Sequence, residues 1–501
     1  MSGELPLVVI GDALLDRDVE GAVERLAPDA PVPVLDQQRA VARPGGAALA
    51  AALAAADGRP VTLVTALSGD DAGRELAALI AAAGVELVDL GLDGATPEKV
   101  RLRTTAGTSL LRLDRGGTGG SGSVGRATAA ARAAIGWASA VLVADYGRGV
   151  AAEPGIRAAL AERAAAAGDE RAPLAWDPHP RGPTPTPGVL LATPNEREAA
   201  AFAPEPEGDD LPAVAQRAAA LRRRWGARHV CVTRGRHGAL LVGEDGPPLA
   251  LAAPAAGPAA DPCGAGDRFA ATAAALLADG ARCDEAVVAA VEAASRFVAA
   301  GGAAGFRLPS AATAPAASPG PAADAASLGL AATTVAAPAT GSPVAPIGLA
   351  AAEAVLAATR ARGGTTVATG GCFDLLHAGH VRTLEAARAL GDCLVVCLND
   401  DASVRRLKGS ARPLVPAHDR AAVLAALTCV DAVVVFGEDT PTALLERLRP
   451  DVWAKGGDYA GASLPEAEAL ERWGGRAVVL PHHAGHSTTR LIEEASNRAA
   501  S

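Results

Sequence analysis

Two histidines three positions apart follow a glycine turn in the last third of the chain. The stretch reads Gly370-Gly371-Cys372-Phe373-Asp374-Leu375-Leu376-His377-Ala378-Gly379-His380, and a helical pattern over 381–390 comes next. Glycine permits a tight turn, and residues three apart lie on one face of the first helical turn. Because the first N–H groups of a helix lack backbone partners, that end favours an anion. The stretch therefore predicts a phosphate-handling site.

A second device lies near residue 264. Gly264, Ala265 and Gly266 leave backbone N–H groups uncovered at the start of a helical run over 268–277. Such groups suit the charge that develops on a transferring phosphoryl group. Asp267 follows directly, where a carboxylate can accept the proton of an attacking hydroxyl. This pattern predicts phosphoryl transfer with Asp267 as the base.

Strands and helices that alternate along the chain must position these residues. We predict strands near 8–11, 61–66, 85–90, 140–144, 173–177, 189–192 and 229–233, with a half-exposed antiparallel sheet over 99–115. Alternation of this kind indicates an α/β fold with an open parallel sheet, whose ligand cleft lies at the carboxyl ends of the strands. Polar residues follow several strands, namely Asp12, Asp145, Tyr146, Asp177, Asn195, Glu198, Thr233 and Gly235.

Composition excludes several classes of protein. A formal charge of −10 disfavours a nucleic-acid partner, and the long uncharged runs lack the bulk of a membrane span. The N-terminus has no basic segment before an apolar one, so we expect a cytoplasmic protein. The 7 cysteines include no C-x-x-C pair, which favours free thiols over disulfides or zinc.

Three segments are expected along the chain. Residues 1–309 read as the first α/β domain, 310–346 as a disordered Ala/Pro-rich linker, and 347–501 as a second domain. The second domain also holds a basic cluster around Lys408, the segment Lys455-Gly456-Gly457-Asp458-Tyr459, and hydroxyl residues at a helix start, Ser487-Thr488-Thr489. A basic cluster is usually a solvated face, and hydroxyls at a helix start can act only as caps.

These motifs carry a resemblance to known families. The first 310 residues resemble the ribokinase-like sugar kinases, an open sheet with a small β lid. The second domain resembles the Rossmann-like nucleotidyltransferases related to cytidylyltransferases. Kinase followed by nucleotidyltransferase is similar to the family of bifunctional heptose 7-phosphate kinases and heptose 1-phosphate adenylyltransferases. The resemblance implies ATP as substrate, Mg²⁺ with unknown ligands, a separate phosphatase between the two steps, and a homodimer.

Roles for individual residues follow from the resemblance alone. It implies that Asp267 is the catalytic base, that Gly264, Ala265 and Gly266 form an anion hole, and that the sugar pocket is lined by Asp12, Asp16, Gly45 and Gly46. It places the first nucleotide, with its Mg²⁺, against Asn195, Glu198, Thr233 and Gly235. In the second domain it implies catalysis by His377, His380 and Lys408, with nucleotide contacts from Gly371, Phe373, Asp374, Lys455, Ser487, Thr488 and Thr489.

Several positions depart from the family pattern. Leu49 and Leu53 replace polar residues, Pro262 and Cys263 replace hydroxyl residues, and Arg268 follows the base. An apolar residue cannot provide the hydrogen bond on which discrimination rests. The departures leave an alternative open: a cytidylyltransferase for a polyol or sugar phosphate, fused to a weak or non-catalytic kinase domain used for binding or dimerisation.

Overall fold

The computed structural model describes residues 5–28, 30–105, 107–116, 123–166, 173–244, 246–254, 261–308, 344–456 and 466–480. The chain forms two compact units. One comprises Met1–Leu308 and Asp451–His483, and the other Pro309–Pro450 and Ala484–Ser501. Most of the expected linker lies outside the described residues, so the boundaries at 309 and 347 stay a prediction.

The strands in chain order are β1 Leu7–Gly11, β2 Ala13–Leu26, β3 Pro33–Gly46, β4 Val61–Thr65, β5 Glu86–Asp89, β6 Glu98–Thr104, β7 Ser109–Arg115, β8 Ala140–Ala144, β9 Leu174–Asp177, β10 Leu191–Ala192, β11 His229–Thr233, β12 Ala239–Val242, β13 Leu249–Leu251, β14 Thr366–Gly371, β15 Cys393–Asn399, β16 Ala432–Phe436, β17 Val452–Gly456 and β18 Arg476–Leu480.

The helices are α1 Ala47–Ala56, α2 Asp71–Ala82, α3 Ala129–Trp137, α4 Pro154–Ala166, α5 Glu196–Phe202, α6 Leu211–Trp225, α7 Ala265–Ala278, α8 Cys283–Ala299, α9 Gly302–Gly305, α10 Leu349–Ala361, α11 Ala378–Arg388, α12 Asp401–Lys408, α13 Ala417–Ala425, α14 Thr442–Leu448 and α15 Ala467–Glu471. Among the described residues, no helix is both long and apolar enough to cross a membrane.

The main sheet of the first unit is open and mostly parallel. Strands β5, β4, β1, β8, β9, β10 and β11 lie side by side in that order, all parallel, and β12 and β13 extend the sheet antiparallel. Side chains of β1, β4 and β8 are buried, as expected for strands that are covered on both faces. The polar residues predicted at strand ends follow β1, β8, β9 and β11, and so share the carboxyl edge of the sheet.

A smaller sheet in the order β3-β2-β6-β7 forms the lid. The prediction of an antiparallel pair over 99–115 agrees with β6 and β7, but β6 also pairs in parallel with β2. Strand β2 itself was missed. Asp16, which the resemblance assigned to the sugar pocket, lies inside this 14-residue strand, which leaves the core to build the lid.

Helix α7 brings the second predicted device to the sheet. Its buried alanines, among them Ala270, Ala271 and Ala274, pack with α1 and the central strands in one apolar cluster. Small side chains let this helix lie close to the strands, so its first turn reaches their carboxyl ends. The N-terminus of α7 is thereby placed beside the residues that follow β1 and β8.

The second unit is built on a parallel sheet in the order β14-β15-β16. Strand β15 is buried along its whole length, and α10, α11 and α13 pack against the sheet through residues such as Leu356, Leu384 and Leu424. Helix α11 follows β14 through residues 372–377, where Phe373 and Leu375 adopt positive φ values of 41° and 51°. This is the strand, turn and helix arrangement that the sequence predicted for His377 and His380. The prediction that the two glycines make this turn was wrong, because Gly370 and Gly371 lie in β14 itself.

Candidate active sites

Asp267 lies in the first turn of α7, immediately after the glycine turn. Gly264 adopts a left-handed backbone with φ of 81°, and a Cβ there would lie 2.9 Å from Cδ2 of Leu49. A Cβ built at Gly266 meets no atom within 4 Å, so space remains above this turn. The N–H of Ala265, which the sequence predicted to be uncovered, donates to the carbonyl of Pro262 at 3.1 Å, so the other N–H groups of this turn are the candidates for an anion hole.

The surroundings of Asp267 raise the pKa of its carboxyl group to near neutrality. The side chain is buried, and Oδ1 accepts a hydrogen bond of 2.5 Å from the hydroxyl of Tyr146. Burial raises the pKa of Asp267 to about 7, assisted by the charge of Asp16 and opposed by Tyr146 and Lys99. A carboxylate with this pKa can accept a proton at neutral pH and release it again.

Asp12 holds the loop that follows β8. Its carboxylate oxygens accept backbone hydrogen bonds from Tyr146 at 3.1 Å, Arg148 at 2.9 Å and Val150 at 3.0 Å. The sequence assigned Asp12 to the sugar pocket, which stays a prediction. In the structure Asp12 holds the loop after β8 in place, because its buried carboxylate binds three backbone N–H donors.

Asp16 reaches the same region from the lid. Its Oδ1 accepts a hydrogen bond of 3.1 Å from Nη1 of Arg101, whose Nη2 lies 3.3 Å from Sγ of Cys263. A Cβ at Gly45 would lie 2.8 Å from Oδ2 of Asp16, so glycine leaves room for this carboxylate. Gly46 ends β3 with φ of 60° and lets the chain turn into α1. The sequence did not identify Arg101, which links the lid to the loop before α7.

The predicted nucleotide residues lie along the same sheet edge. Asn195 and Glu198 form a reciprocal capping box at the start of α5, with hydrogen bonds of 2.8 and 3.0 Å. Asn195 bridges to Thr233, which ends β11, and Gly235 follows in a short 3₁₀ turn. The four residues predicted to contact the first nucleotide are thus neighbours in the fold.

Carboxylates gather near these residues. Burial raises the pKa of Glu198, and burial followed by the charges of Glu198 and Asp267 raises the pKa of Asp177 well above its usual value. Burial also raises the pKa of Asp145 to about 7. Within the described ranges, no group of three or more His, Cys, Asp or Glu is arranged to hold a metal ion by itself.

The positions that depart from the kinase pattern have structural partners. Leu49 and Leu53 form a buried apolar cluster with Ala303, against which Cys263 and Phe297 pack. This cluster lies directly beneath Gly264, so the two leucines support the turn. Arg268 points away from the base and forms an ion pair of 2.8 Å with Asp57.

His377 and His380 lie together at the start of α11. Their rings stack with centroids 3.9 Å apart, and the N–H of His377 donates to Nδ1 of His380 at 3.4 Å. Phe373 packs edge-on against His380, and Gly371 lies beside Phe373. Burial lowers the pKa of His380 to about 4, followed by the charges of His377 and Lys408. Because Nδ1 accepts, the neutral ring carries its proton on Nε2, which can donate to a phosphate oxygen.

Asp374 anchors the segment after α12. The buried carboxylate accepts hydrogen bonds from Nε of Arg412 at 2.6 Å and from the backbone N–H of Leu414 and Val415. Burial acts to raise the pKa of Asp374, but these donors outweigh it and the pKa is lowered. A contact between Asp374 and a nucleotide stays a prediction.

Arg420 is a buried residue that the sequence did not identify. Its guanidinium donates to the carbonyls of Cys372, Asn399 and Val415 and forms an ion pair of 2.7 Å with Asp401. It therefore joins the turn after β14, the end of β15 and the start of α12. Nothing in the sequence separates Arg420 from a solvated arginine, because its burial arises from tertiary packing.

Two lysines and three hydroxyl residues complete the set that was predicted for the second domain. Lys408 is exposed at the end of α12, with Nζ close enough to influence His380. Lys455, at the end of β17, pairs with buried Glu466 at 3.1 Å. Ser487, Thr488 and Thr489 lie outside the described residues, so their predicted contacts with the nucleotide phosphates stay untested by the structure.

Comparisons with known proteins agree with both devices. Residues 5–311 match the pfkB family of carbohydrate kinases, and residues 368–493 match the cytidylyltransferase-like family. The Bifunctional protein HldE of Streptomyces coelicolor is 54% identical over 497 residues, covering 99% of this chain and 97% of that protein. The protein of that name from Azorhizobium caulinodans is 39% identical over 494 residues, covering 98% of each chain.

Among solved structures, a ribokinase from Arabidopsis thaliana complexed with ribose and ATP aligns with a TM-score of 0.45 and 22% identity, covering 59% of this chain and 92% of that one. The two family models confirm the predicted fold class and the predicted order of kinase and nucleotidyltransferase. The chain is therefore a bifunctional enzyme of the HldE family, in which a pfkB-type carbohydrate kinase is followed by a cytidylyltransferase-like domain.

Proposed function

We propose that the first site transfers the γ-phosphoryl group of ATP to the anomeric hydroxyl of heptose 7-phosphate, giving the 1,7-bisphosphate. The observation that carries the proposal is a buried carboxylate, Asp267, with a pKa near neutrality at a helix N-terminus. The sugar itself rests on the resemblance to the heptose kinase and adenylyltransferase family. The 54% identity to an HldE protein supports it.

The chemistry needs little beyond position and charge. As the anomeric oxygen bonds to the γ-phosphorus, its proton passes to Asp267 and the bond to ADP breaks. The N–H groups of Gly264 and Gly266 would meet the charge on the transferring group, whereas that of Ala265 donates to the carbonyl of Pro262. Asp16 and Gly45 would hold the sugar from the lid side, while Thr233 and Gly235 would lie beside the nucleotide.

Mg²⁺ is expected with ATP at this site. Asn195 and Glu198 offer hard oxygen ligands, and Glu198 is a half-buried carboxylate whose charge a cation would offset. Because the described residues hold no complete metal cluster, phosphate oxygens and water would supply the other ligands. The ion would neutralise phosphate charge during transfer.

We propose that the second site transfers AMP from ATP to heptose 1-phosphate, releasing pyrophosphate and forming ADP-heptose. The sugar phosphate oxygen attacks the α-phosphorus, and charge grows on the departing pyrophosphate. Nε2 of His380 and the ring of His377 would donate to that charge, with Lys408, Lys455 and the hydroxyls of 487–489 around the phosphates. The stacking of the two rings and the lowered pKa of His380 support this role.

The pathway and the molecular setting are also proposals. The 7-phosphate must leave between the two steps, so a separate phosphatase is required. The 7 cysteines carry free thiols, which supports a cytoplasmic location. We further propose domains at 1–309 and 347–501 joined by a linker at 310–346, and a homodimer.

Asp267→Asn tests the kinase proposal. Asn keeps the shape of the side chain but cannot accept the proton, so phosphorylation should fall by roughly 10²–10⁴-fold. AMP transfer by the same protein should be unchanged, because its proposed site lies in the other domain, and an unchanged unfolding transition of the kinase domain would show that this domain is folded. Asp57→Asn is the matched control, because it makes the same change at the ion-pair partner of Arg268, the residue that follows Asp267 on α7. Near-normal phosphorylation by Asp267→Asn would remove this residue from the role of base.

A further inference from the structure

Tyr146 is the residue through which the fold touches the proposed base. Its hydroxyl donates to Oδ1 of Asp267 at 2.5 Å, and its partly buried ring packs against the apolar cluster that includes α1, α7 and the central strands. Burial and the neighbouring carboxylates raise the pKa of Tyr146 well above its usual value, so the phenol keeps its proton and stays a donor. Within the described chain, Oδ2 of Asp267 has no donor.

The loop that carries Tyr146 is fixed from below. Asp12 accepts the N–H groups of Tyr146, Arg148 and Val150, three alternate residues of one short loop. A buried carboxylate that binds three backbone donors holds the loop in one conformation. Asp12, at the end of β1, therefore fixes the loop, and the loop places the phenol of Tyr146 against the proposed base.

We propose that Tyr146 is a positioning residue for phosphoryl transfer: it holds Oδ1 of Asp267 so that Oδ2 accepts the proton of the sugar hydroxyl, and Asp12 holds Tyr146. In the step itself the O–H bond breaks, the oxygen bonds to the γ-phosphorus, the proton goes to Oδ2, and ADP leaves with the electrons of the broken P–O bond. Tyr146 neither gains nor loses a proton. The inference rests on the proposed role of Asp267.

Removing the phenol hydroxyl should alter the protonation of the base. Four groups face Asp267 from different elements: Tyr146 after β8, Asp16 on β2, Lys99 on β6 and Asp177 at the end of β9. Tyr146 and Lys99 favour the carboxylate, whereas the two acidic groups disfavour it. Without the phenol, the carboxylate loses a stabilising donor and binds its proton more tightly.

The test is the pH profile of kinase kcat/KM for Tyr146→Phe. The rising limb should move to higher pH by about one to two pH units, the size expected for a hydrogen bond to a charged group. At pH 7, where the parent enzyme is half ionised, the variant should then be roughly five- to fiftyfold slower, and it should recover most of its activity at pH 9, with the KM values for ATP and sugar phosphate little changed. Asp12→Asn, which weakens the hold on the loop, should move the limb in the same direction.

The unfolding transition of the kinase domain in each variant serves as the control for folding, and AMP transfer, which is assigned to the other domain, should be unchanged. An unshifted limb with a raised KM for the sugar phosphate would overturn the inference, because Tyr146 would then contact the sugar directly. Loss of activity at every pH would also overturn it. If Tyr146→Phe does not fold, Asp12→Asn decides by the same criterion. Failure of the inference leaves Asp267→Asn inactive, whereas an active Asp267→Asn would show that the proposed base itself is wrong.

Discussion

At the scale of single residues, Asp267 shows how burial changes a carboxyl group. An aspartate in water is ionised well below neutral pH. Here burial raises the pKa of Asp267 to about 7, and the Tyr146 hydroxyl and Lys99 prevent a larger rise. The group is therefore a base only above that pH, and phosphoryl transfer should depend on its ionisation.

The pH dependence of the kinase reaction follows from that pKa. Because the protonated carboxyl cannot accept a proton, kcat/KM should rise with pH, with a midpoint of about 7 and a tenfold loss for each pH unit below it. The measurement is kcat/KM for the sugar phosphate between pH 5 and 9 at saturating ATP and Mg²⁺. A limb near pH 4 would show that the ionising group is an ordinary exposed carboxylate instead.

The two histidines lead to a prediction of the opposite kind. With its pKa lowered to about 4, His380 is neutral at pH 7 and donates through Nε2. His380→Ala should lower the rate of AMP transfer far more than the affinity for ATP, since the charge it meets grows as pyrophosphate leaves. His380→Asn, which still donates, should retain more activity than Ala.

A control and a pH profile sharpen this test. His418→Ala removes an exposed histidine of the same unit and should have no effect. The kcat/KM for AMP transfer should show no titration of His380 between pH 5 and 8. Stoichiometric zinc in the purified protein, lost together with activity in the Ala variants, would contradict the assignment.

At the scale of elements, Arg420 holds together the turn and helix ends of the second site. Its replacement by Met keeps the length of the side chain but leaves Asp401 and three carbonyls without their buried donor. We expect a loss of about 2–4 kcal/mol in the free energy of unfolding of this unit. Arg405→Met, on the exposed side of α12, is the matched control and should cost less than about 0.5 kcal/mol.

Denaturant unfolding, followed by a probe in the second unit, measures both variants. Equal stabilities for Arg420→Met and Arg405→Met would show that the network of Arg420 contributes little. A large loss confined to Arg420→Met would establish that a residue outside the recognised motifs stabilises the turn after β14 and the start of α12. The kinase activity of both variants should be unchanged.

The elements of the main sheet could be predicted from the sequence, whereas the lid could not. Buried strands such as β1, β4 and β8 are apolar along their length and end at polar residues, so pattern alone finds them. Strand β2 carries acidic side chains among its apolar ones, since one face of the lid turns toward the site. Because this mixed pattern does not read as a buried strand, β2 was not predicted, and Asp16, assigned to the sugar pocket, is found within this lid strand.

The candidate sites divide in the same way. Residues in the first turn of a helix, Asp267 and His380 among them, could be identified because the chemistry of a helix N-terminus is local. Tyr146, Arg101 and Arg420 could not be assigned roles, because their partners are far away in sequence. Leu49 looked like the loss of a sugar contact, and its place under Gly264 shows a packing reason that only tertiary structure reveals.

At the scale of the whole molecule, one chain carries two sites that both act on phosphates by position and charge. The first is built at the carboxyl edge of an open sheet beneath a lid, and the second at the turn after β14. Each uses a helix N-terminus beside titratable side chains whose pKa values burial has moved toward or away from neutrality. Neither arrangement calls for a covalent enzyme intermediate. The products formed from ATP and each sugar phosphate therefore identify the two reactions.

Product analysis tests this account most directly. The purified chain is incubated with Mg²⁺ and either ATP or CTP, together with heptose 7-phosphate or heptose 1-phosphate, and the products are separated and identified by phosphorus NMR and mass spectrometry. We predict the 1,7-bisphosphate and ADP from the first sugar with ATP, and ADP-heptose with pyrophosphate from the second. A CDP-sugar formed in preference to ADP-heptose, or no phosphorylation of the 7-phosphate, would contradict it.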